Sequence, residues 1–540
     1  MPAKKPANWD REVDVVVMGS GGAALMAAIT AAGEGKKVLV IEKTHQLGGT
    51  TAFSGGIPWI PMNRYQKEAG LEDNREAALT YIRRITNGKE PDPKLVEVFV
   101  DNAYKAIDYL YENSPLRFDI PPNYPEYYSN FEGTRIGRSL DPKPFELDSI
   151  GELGALVRNN PAFPPMTLAE GGAVGGIDWA VLGERMEKNI VTMGRSLVAG
   201  MIKGCLDKGV EFMVETAGNE LVLDEEGKVI GLVAKKDGKD FYIGAPNVFL
   251  GSGGFEWNKE LVKTFLKGEV SHPLSPWGNT GEALIMAMEA GAALGNMSEA
   301  WWYPAMQDPT FEYEGRALNQ LGGGGRFGPN SIIVNQNAER FTHEGATYND
   351  LPKSFANFDA KTVTYPNYKN NYMIFDQQLK DSKMILTMMP GEDAPPWVPQ
   401  ADTIEELATK INMDPAKLKA TVDRWNTMVE NGKDEDYGRA ETYFENLQGG
   451  GGNKEANLGK IEKGPFYAVP VYYGTLGTNG GPRINENGQV INLRGQVIEG
   501  LYAAGNAAMG IMGPAYVSAG GTIGPAIAFG YLAGMHIASK

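Results

Sequence analysis

Val13-Asp14-Val15-Val16-Val17-Met18, followed without a break by Gly19-Ser20-Gly21-Gly22-Ala23-Ala24, is the stretch that decides the fold of this chain. The first six residues are a short β-branched run, suited to a parallel strand buried on both faces. The alanine-rich stretch after the glycines predicts a helix to about Gly35, and Lys37-Val38-Leu39-Val40-Ile41-Glu42 predicts a second buried strand ending in an acid. Gly19 and Gly21 let the backbone turn sharply and come close to a pyrophosphate. The helix N-terminus offers unpaired N–H groups and a positive dipole end. Glu42, 23 residues after Gly19, stands where a carboxylate accepts from ribose hydroxyls, and Ala24 is an accepted variant of the third glycine. Strand, glycine turn, helix, strand and acid together predict dinucleotide binding. The contacts are assigned to Gly19, Ser20, Gly21, Gly22, Ala23, Ala24, Glu42 and its neighbour Lys43.

Two further strands run into glycines: Asn247-Val248-Phe249-Leu250-Gly251-Ser252-Gly253-Gly254 and Gly500-Leu501-Tyr502-Ala503-Ala504-Gly505-Asn506. Three such junctions, at the start, middle and end of the chain, predict one cofactor domain interrupted by insertions. Leu47-Gly48-Gly49-Thr50-Thr51-Ala52-Phe53-Ser54-Gly55-Gly56 adds backbone N–H and hydroxyl donors that a nicotinamide domain does not need. FAD is the dinucleotide large enough to use all of them. The expected contacts extend to Gly48, Gly49, Thr50, Thr51, Ser54, Gly55, Gly56, Gly253, Gly254, Gly505 and Asn506, and to Gly521, Thr522 and Ile523 in the last segment. No histidine lies in the 47–56 stretch, so FAD is expected without a covalent bond.

The 540 residues allow two to four domains at roughly 150 residues each, and 42% hydrophobic with 22% charged is an ordinary globular composition. Glycine is the outlier, 68 of 540 against a typical ~7%. A net charge of −16 disfavours nucleic acid and anionic membranes as partners. One cysteine, Cys205, excludes an internal disulfide, an iron–sulfur cluster and a c-type haem attachment, and no metal site is expected. The start, MPAKKPANWDREVD, lacks the apolar run of a signal peptide, so a cytoplasmic location is expected. Gly500 to Ser539 carries no charged residue and is long enough to span a bilayer. Its eight glycines after Gly500, with Pro514 and Pro525 among them, predict instead a buried segment wrapped around a ligand.

The texture changes between about 298 and 474. Aromatics concentrate at Trp301, Trp302 and Tyr303. Residues 403–431 predict amphipathic helices, the second begun by Pro415. The organisation expected is α/β with an α+β cap: a discontinuous Rossmann-like FAD domain, 1–297 and 475–540, and an inserted catalytic domain, 298–474. The glycine runs Gly322 to Gly325 and Gly449 to Gly452 are expected as mobile surface loops, since neither follows a strand and opens a helix.

GSGGAALMAA (19–28), Glu42, LGGTTAFSGG (47–56), GSGGFEWN (251–258) and GLYAAGNAA (500–508) resemble the FAD-dependent fumarate reductase and 3-ketosteroid dehydrogenase superfamily. YPEYYSNFEGTRIGRS (124–139), AWWYP (300–304), ERFTHEGATYND (339–350), YMIFDQ (372–377), GPFYAV (464–469) and YVSAGGTIGPA (516–526) make the ketosteroid branch the nearer match. The resemblance covers nearly the whole chain. It implies a two-domain enzyme that holds its substrate between non-covalent FAD and the catalytic domain. It also implies that a double bond is made, or removed, beside the ketone of a 3-ketosteroid. A polarised carbonyl acidifies the α-hydrogen, a base takes it as a proton, and FAD N5 takes the β-hydrogen as hydride. With four histidines and 23 tyrosines, a tyrosine with a lowered pKa is the base to look for.

The resemblance implies that Tyr516 and the Gly520 N–H hold the carbonyl. It places the base at Tyr348, four residues after the acid Glu344. An assisting tyrosine falls at Tyr127, with Tyr128 the neighbouring alternative. The family's 1,2-dehydrogenases read YPGPGG where this chain reads YVSAGG; Tyr516 with Ser518 looks more like enzymes of the 4,5 bond, whereas the following GGTIGPA resembles the 1,2 enzymes. His343 stands where asparagine is usual, as a partner of Glu344 or, alternatively, in contact with flavin or substrate.

A 1,2-dehydrogenase is the expected function. A 4,5-dehydrogenase and a 3-oxo-steroid or bile-acid-type ene-reductase are the alternatives on the same fold. A fumarate or urocanate reductase needs arginines clamping carboxylates. Arg326 and Arg340 exist, but Gly345-Ala346-Thr347 occupy the positions after Glu344 where another is expected. Trp301, Trp302 and Tyr303 suggest an apolar ring substrate, and a smaller cyclic ketone such as an oxocyclohexane carboxylate fits the same chemistry. A non-catalytic flavin sensor is the reading from a different class. The electron partner is not named by any residue.

Overall fold

The computed structural model describes residues 2–171, 177–268, 270–321 and 323–540. The opening stretch forms a fully buried strand, Val15–Met18, and a helix, Gly22–Gly33. Gly19 joins them at φ +95°, and a Cβ there would lie 2.6 Å from the Gly251 carbonyl oxygen. Only glycine makes this turn. Gly21, the N-cap, supplies no side-chain cap; the first helical N–H, that of Gly22, donates instead to Thr51 Oγ at 2.9 Å.

Val15–Met18 lies inside a six-stranded sheet ordered Gln489–Ile491, Val497–Ala503, Asn247–Leu250, Val15–Met18, Val38–Ile41 and Glu211–Met213. All pairs are parallel except the first, which is antiparallel. The register sets Met18 beside Leu250, and Leu250 beside Ala503. The three predicted strand-to-glycine junctions therefore emerge side by side, although more than 200 residues separate each from the next. A four-stranded sheet, ordered Arg11–Glu12, Lys239–Gly244, Val229–Lys236 and Thr216–Leu223, accompanies it.

The uncharged C-terminal stretch is a strand, a loop and the helix Ile523–Ala538. Glycine permits close helix packing here: a Cβ on Gly530 would lie 2.5 Å from the Ala23 carbonyl. Among the described residues no helix is long and apolar enough to cross a membrane.

The second body of structure is a sheet ordered Arg316–Leu321, Ala300–Tyr313, Phe466–Thr478, Asn371–Asp376 and Ser331–Val334, with His272–Pro273 and Gln400–Ala401 also pairing with Phe466–Thr478. Helices Ile404–Lys410 and Pro415–Glu430 pack on it, capped by Thr403 and Asp414. Phe466–Thr478 is its spine and leads directly back towards the FAD-type domain. The glycine runs depart from expectation in part. Gly322 lies outside the described residues, but Gly325 is buried within the turn Gly323–Arg326. Gly449 ends helix Tyr443–Gly449 and is buried too. Gly450 and Gly451 beyond it are exposed, as a surface loop requires.

Candidate active site

A cavity of about 430 Å³ runs along the carboxyl ends of the parallel strands to the second sheet. At one end lies Glu42. Its carboxylate accepts from Ser20 Oγ (2.7 Å) and from the Thr44 N–H (3.0 Å). Lys43 pairs with Glu282 at 2.6 Å. The walls include Gly19, Ser20, Gly21, Gly22, Ala23, Gly49, Thr50, Thr51, Ser54, Gly55, Gly56, Gly253, Gly505, Asn506, Thr522 and Ile523. A helix N-terminus, glycines at the closest approach and hydroxyl or amide donors along the length suit a long anionic dinucleotide. Among the described residues no histidine or cysteine lines the cavity.

Four residues expected at the cofactor lie behind this wall. Ala24 faces inward onto Gly251, and Gly48 holds a turn whose N–H donates to Ser20 Oγ at 2.8 Å. Gly254 sits against Glu256 and Thr478, and Gly521 turns away towards Val517. Residues not foreseen line the cavity instead. Arg158 lines the cavity with its Nε unpartnered, and Asn279 bridges Thr50 Oγ (3.0 Å) and Glu256 (2.6 Å).

The other end is aromatic. The rings of Tyr127 and Tyr348 stand 5.5 Å apart, Tyr348 and Tyr516 5.1 Å, and Tyr127 and Tyr516 6.2 Å. They come from a loop, from the segment after strand Ser331–Val334, and from the C-terminal segment. Tyr303 packs 4.9 Å from Tyr348, and Trp301 packs 5.6 Å from Tyr516. Both line the cavity, as do Tyr124, Leu168, Phe163, Leu274 and Leu476. Trp302 does not: alternation along the strand turns it into the core, stacked on Tyr473.

Tyr348 interacts through its hydroxyl with both Tyr127 and Tyr516, and Tyr516 also with Thr522 and the Gly520 N–H. Gly520 adopts φ +94°, and a Cβ there would lie 2.5 Å from Ile57 O and Trp59 N. Burial pushes Tyr127, Tyr348 and Tyr516 up from the ordinary tyrosine pKa. That is opposite to the lowered value expected of a base, because desolvation of a phenolate outweighs hydrogen bonds from neutral neighbours.

Three other expectations change. Ser518 is fully buried, its Oγ lacks a partner, and it does not line the cavity. Tyr128 turns away and donates to Asp350. His343 approaches Glu445 at 3.5 Å, while Glu344 is held by Arg340 (2.7 Å) and the Ile333 N–H (3.0 Å). Arg340 is thus committed to an internal pair and Arg326 is buried, so neither clamps a dicarboxylate in the cavity.

The fold and site define a Rossmann-like flavoprotein whose dinucleotide cavity ends in a tyrosine-lined, mostly apolar chamber. Residues 14–523 match the FAD binding domain family, and the chain belongs to that family, with FAD as its cofactor. It is 35% identical over 539 residues to a 4-oxocyclohexanecarboxylate 2-dehydrogenase of Sinomonas cyclohexanicum, covering 98% of this chain and 93% of that one. It is 34% identical to a 3-oxosteroid 1-dehydrogenase of Mycolicibacterium smegmatis, covering 98% of each. Among solved structures it resembles the 3-ketosteroid delta1-dehydrogenase of Sterolibacterium denitrificans in complex with 1,4-androstadiene-3,17-dione. That match has a TM-score of 0.91 and 29% identity over 98% of this chain and all of the other.

Proposed function

We propose that the protein is an FAD-dependent dehydrogenase that introduces a double bond beside a ring ketone, with a 3-ketosteroid as substrate and the 1,2 bond as its site. The convergence of Tyr127, Tyr348 and Tyr516 beside the Gly520 N–H carries this reading. Gly520 and Tyr516 line the same end of the cavity, and the Gly520 N–H and the Tyr516 hydroxyl are the two donors to one ketone oxygen. These donors stabilise the oxygen as it gains enolate character. Tyr348, beside Tyr516, takes the α-proton, and Tyr127 hydrogen-bonds the Tyr348 hydroxyl as its charge changes. Bound FAD supplies the hydride acceptor for the β-carbon. Trp301, Tyr303, Leu274 and Leu476 exclude water and hold an apolar ring system.

The relatives support the 3-ketosteroid and the 1,2 bond, the M. smegmatis and S. denitrificans enzymes being named for it. A smaller ring ketone is the second reading, favoured by 35% identity to the cyclohexane-carboxylate enzyme. The domain division at 298 and 475 belongs to this proposal, with the second sheet closing the substrate chamber. So does a cytoplasmic location, which fractionation of source cells tests. That no histidine or cysteine among the described residues lines the cavity supports non-covalent FAD; flavin remaining on acid-precipitated protein contradicts it. Purified enzyme is mixed anaerobically with a saturated 3-ketosteroid or 4-oxocyclohexanecarboxylate. The ketone that bleaches the flavin, and the alkene position by NMR, identify substrate and bond. Bleaching by neither ketone contradicts the proposal.

A further inference from the structure

Arg326 is a buried cation without an anion. It closes the short turn Gly323–Arg326 and is 2% exposed. Among the described residues no carboxylate lies within ion-pair distance of it. Nη1 donates to two carbonyls, those of Glu344 (2.6 Å) and Ala346 (2.7 Å). The guanidinium lies 3.8 Å from the Phe327 ring centre, and Nε has no partner. The other buried arginines of this region are matched: Arg340 pairs with Glu344 and Asp434, and Arg439 lies 3.7 Å from Glu344.

An unpaired guanidinium is costly to bury, so its surroundings bear on what it does. The carboxylate it feels, Glu445, already accepts from the Ala440 N–H and Thr442 Oγ and faces His343. The remaining groups that its charge reaches are Tyr303, Tyr127 and Tyr348. Its two hydrogen bonds grip the backbone two and four residues before Tyr348. Burial lowers its own pKa to about 10, and Tyr303, Tyr127, Glu445 and Tyr348 act in the opposite direction.

We propose that Arg326 is a positioning residue whose fixed charge stabilises the phenolate of Tyr348 and whose hydrogen bonds aim the Tyr348 segment at the cavity. This rests on the assignment of Tyr348 as the proton acceptor. It answers how a tyrosine buried among neutral rings serves as a base: the charge that desolvation opposes is met by a cation that no carboxylate among the described residues pairs with. The titratable groups facing Tyr348 are Tyr127 from the 124–128 loop, Tyr516 from the C-terminal segment and Tyr303 from its strand; Arg326, from the turn, holds the carbonyls of Glu344 and Ala346 just before it. Glu445 and His343 stand behind the last.

The test compares Arg326→Gln, Arg326→Lys, Tyr348→Phe and the parent holoenzyme. Two readouts are used: flavin bleaching by the ring ketone as a function of pH, and alkaline titration of the near-ultraviolet tyrosinate band. Arg326→Gln, with parental FAD content, is expected to lose at least about tenfold in kcat/KM near neutral pH, the deficit shrinking as pH rises. This corresponds to an upward displacement of about one pH unit or more. Arg326→Lys keeps the charge, so its profile stays within about half a unit of the parent whatever its kcat. A deficit in Arg326→Gln that is the same at every pH overturns the proposal. If Arg326→Gln does not hold FAD, Arg326→Lys decides: a tyrosine missing in Tyr348→Phe must titrate where it does in the parent, and a shift of about one unit overturns the proposal. The titration needs no substrate. Failure of the ketone to bleach the parent enzyme strikes the proposed function, while an unshifted tyrosinate titration in Arg326→Gln strikes Arg326.

Discussion

Replacing Tyr516 by phenylalanine removes one oxygen and leaves the surrounding packing in place. The ring keeps its contacts with Trp301, 5.6 Å away, and Tyr348, 5.1 Å away. The Gly520 N–H stays where the backbone holds it. On the proposed mechanism what is lost is one of two donors to the ketone oxygen, in a site where Tyr516 is buried and water cannot substitute. Burial pushes the Tyr516 pKa up, so the hydroxyl remains a proton-bearing donor at working pH. A single such donor contributes about 3–4 kcal/mol to the transition state, or roughly two to three powers of ten in rate. Stopped-flow bleaching of the flavin by a saturating ring ketone should slow by that factor, with FAD content and melting temperature unchanged. The remaining Gly520 N–H leaves a residual rate above that of Tyr348→Phe. A loss below about tenfold, or a loss explained by missing FAD, refutes Tyr516 as the ketone's donor.

Gly520→Ala forces a Cβ into Ile57 O and Trp59 N at an unfavourable φ, so it should lose turnover and about 1–3 kcal/mol of stability, measured by denaturant titration. Glu42→Ala removes the acceptor of Ser20 and Thr44 at the far end of the cavity. Loss of a charged hydrogen-bonding partner costs about 1.5–3 kcal/mol, so FAD affinity, followed by flavin fluorescence, should fall at least tenfold, and the apo-protein, which loses the same acceptor, should lose stability as well. Asp434 is desolvated, yet the Arg340 guanidinium wins and holds its carboxyl down at about 2. Because the folded pKa lies below the unfolded value, this stability is fully present above about pH 4 and is lost as pH falls towards 2. Asp434→Asn should flatten part of that acid limb in urea titrations; an unchanged limb contradicts the assignment.

The nucleotide half of the molecule was legible because its physics is local. A β-branched run, a glycine that must adopt positive φ, and an acid at the next strand's end are set within 30 residues. The second and third junctions were legible for the same reason, and the parallel sheet brings them together as expected. Resemblance led to the tyrosines at 127, 348 and 516, and they meet. The sequence does not show which way each side chain points once the strand is laid down. Ser518 and Trp302 turn into the core, and His343 meets Glu445, a residue about 100 positions away. Nor could it show the sign of the tyrosine pKa shifts, which burial decides, or that Arg326 would end beside them without a carboxylate. Its signal in the sequence, one arginine after a glycine run, is indistinguishable from that of a surface loop.

The central claim is that a saturated ring ketone delivers its electrons to this protein's flavin. An anaerobic titration of the yellow holoenzyme with saturated 3-ketosteroids, with and without an existing 4,5 double bond, tests it most directly. The account predicts that both bleach the oxidised-flavin band and yield a product with a new 1,2 double bond by NMR. No bleaching by any ring ketone, together with reoxidation of the pre-reduced enzyme by fumarate-like acids alone, would contradict it.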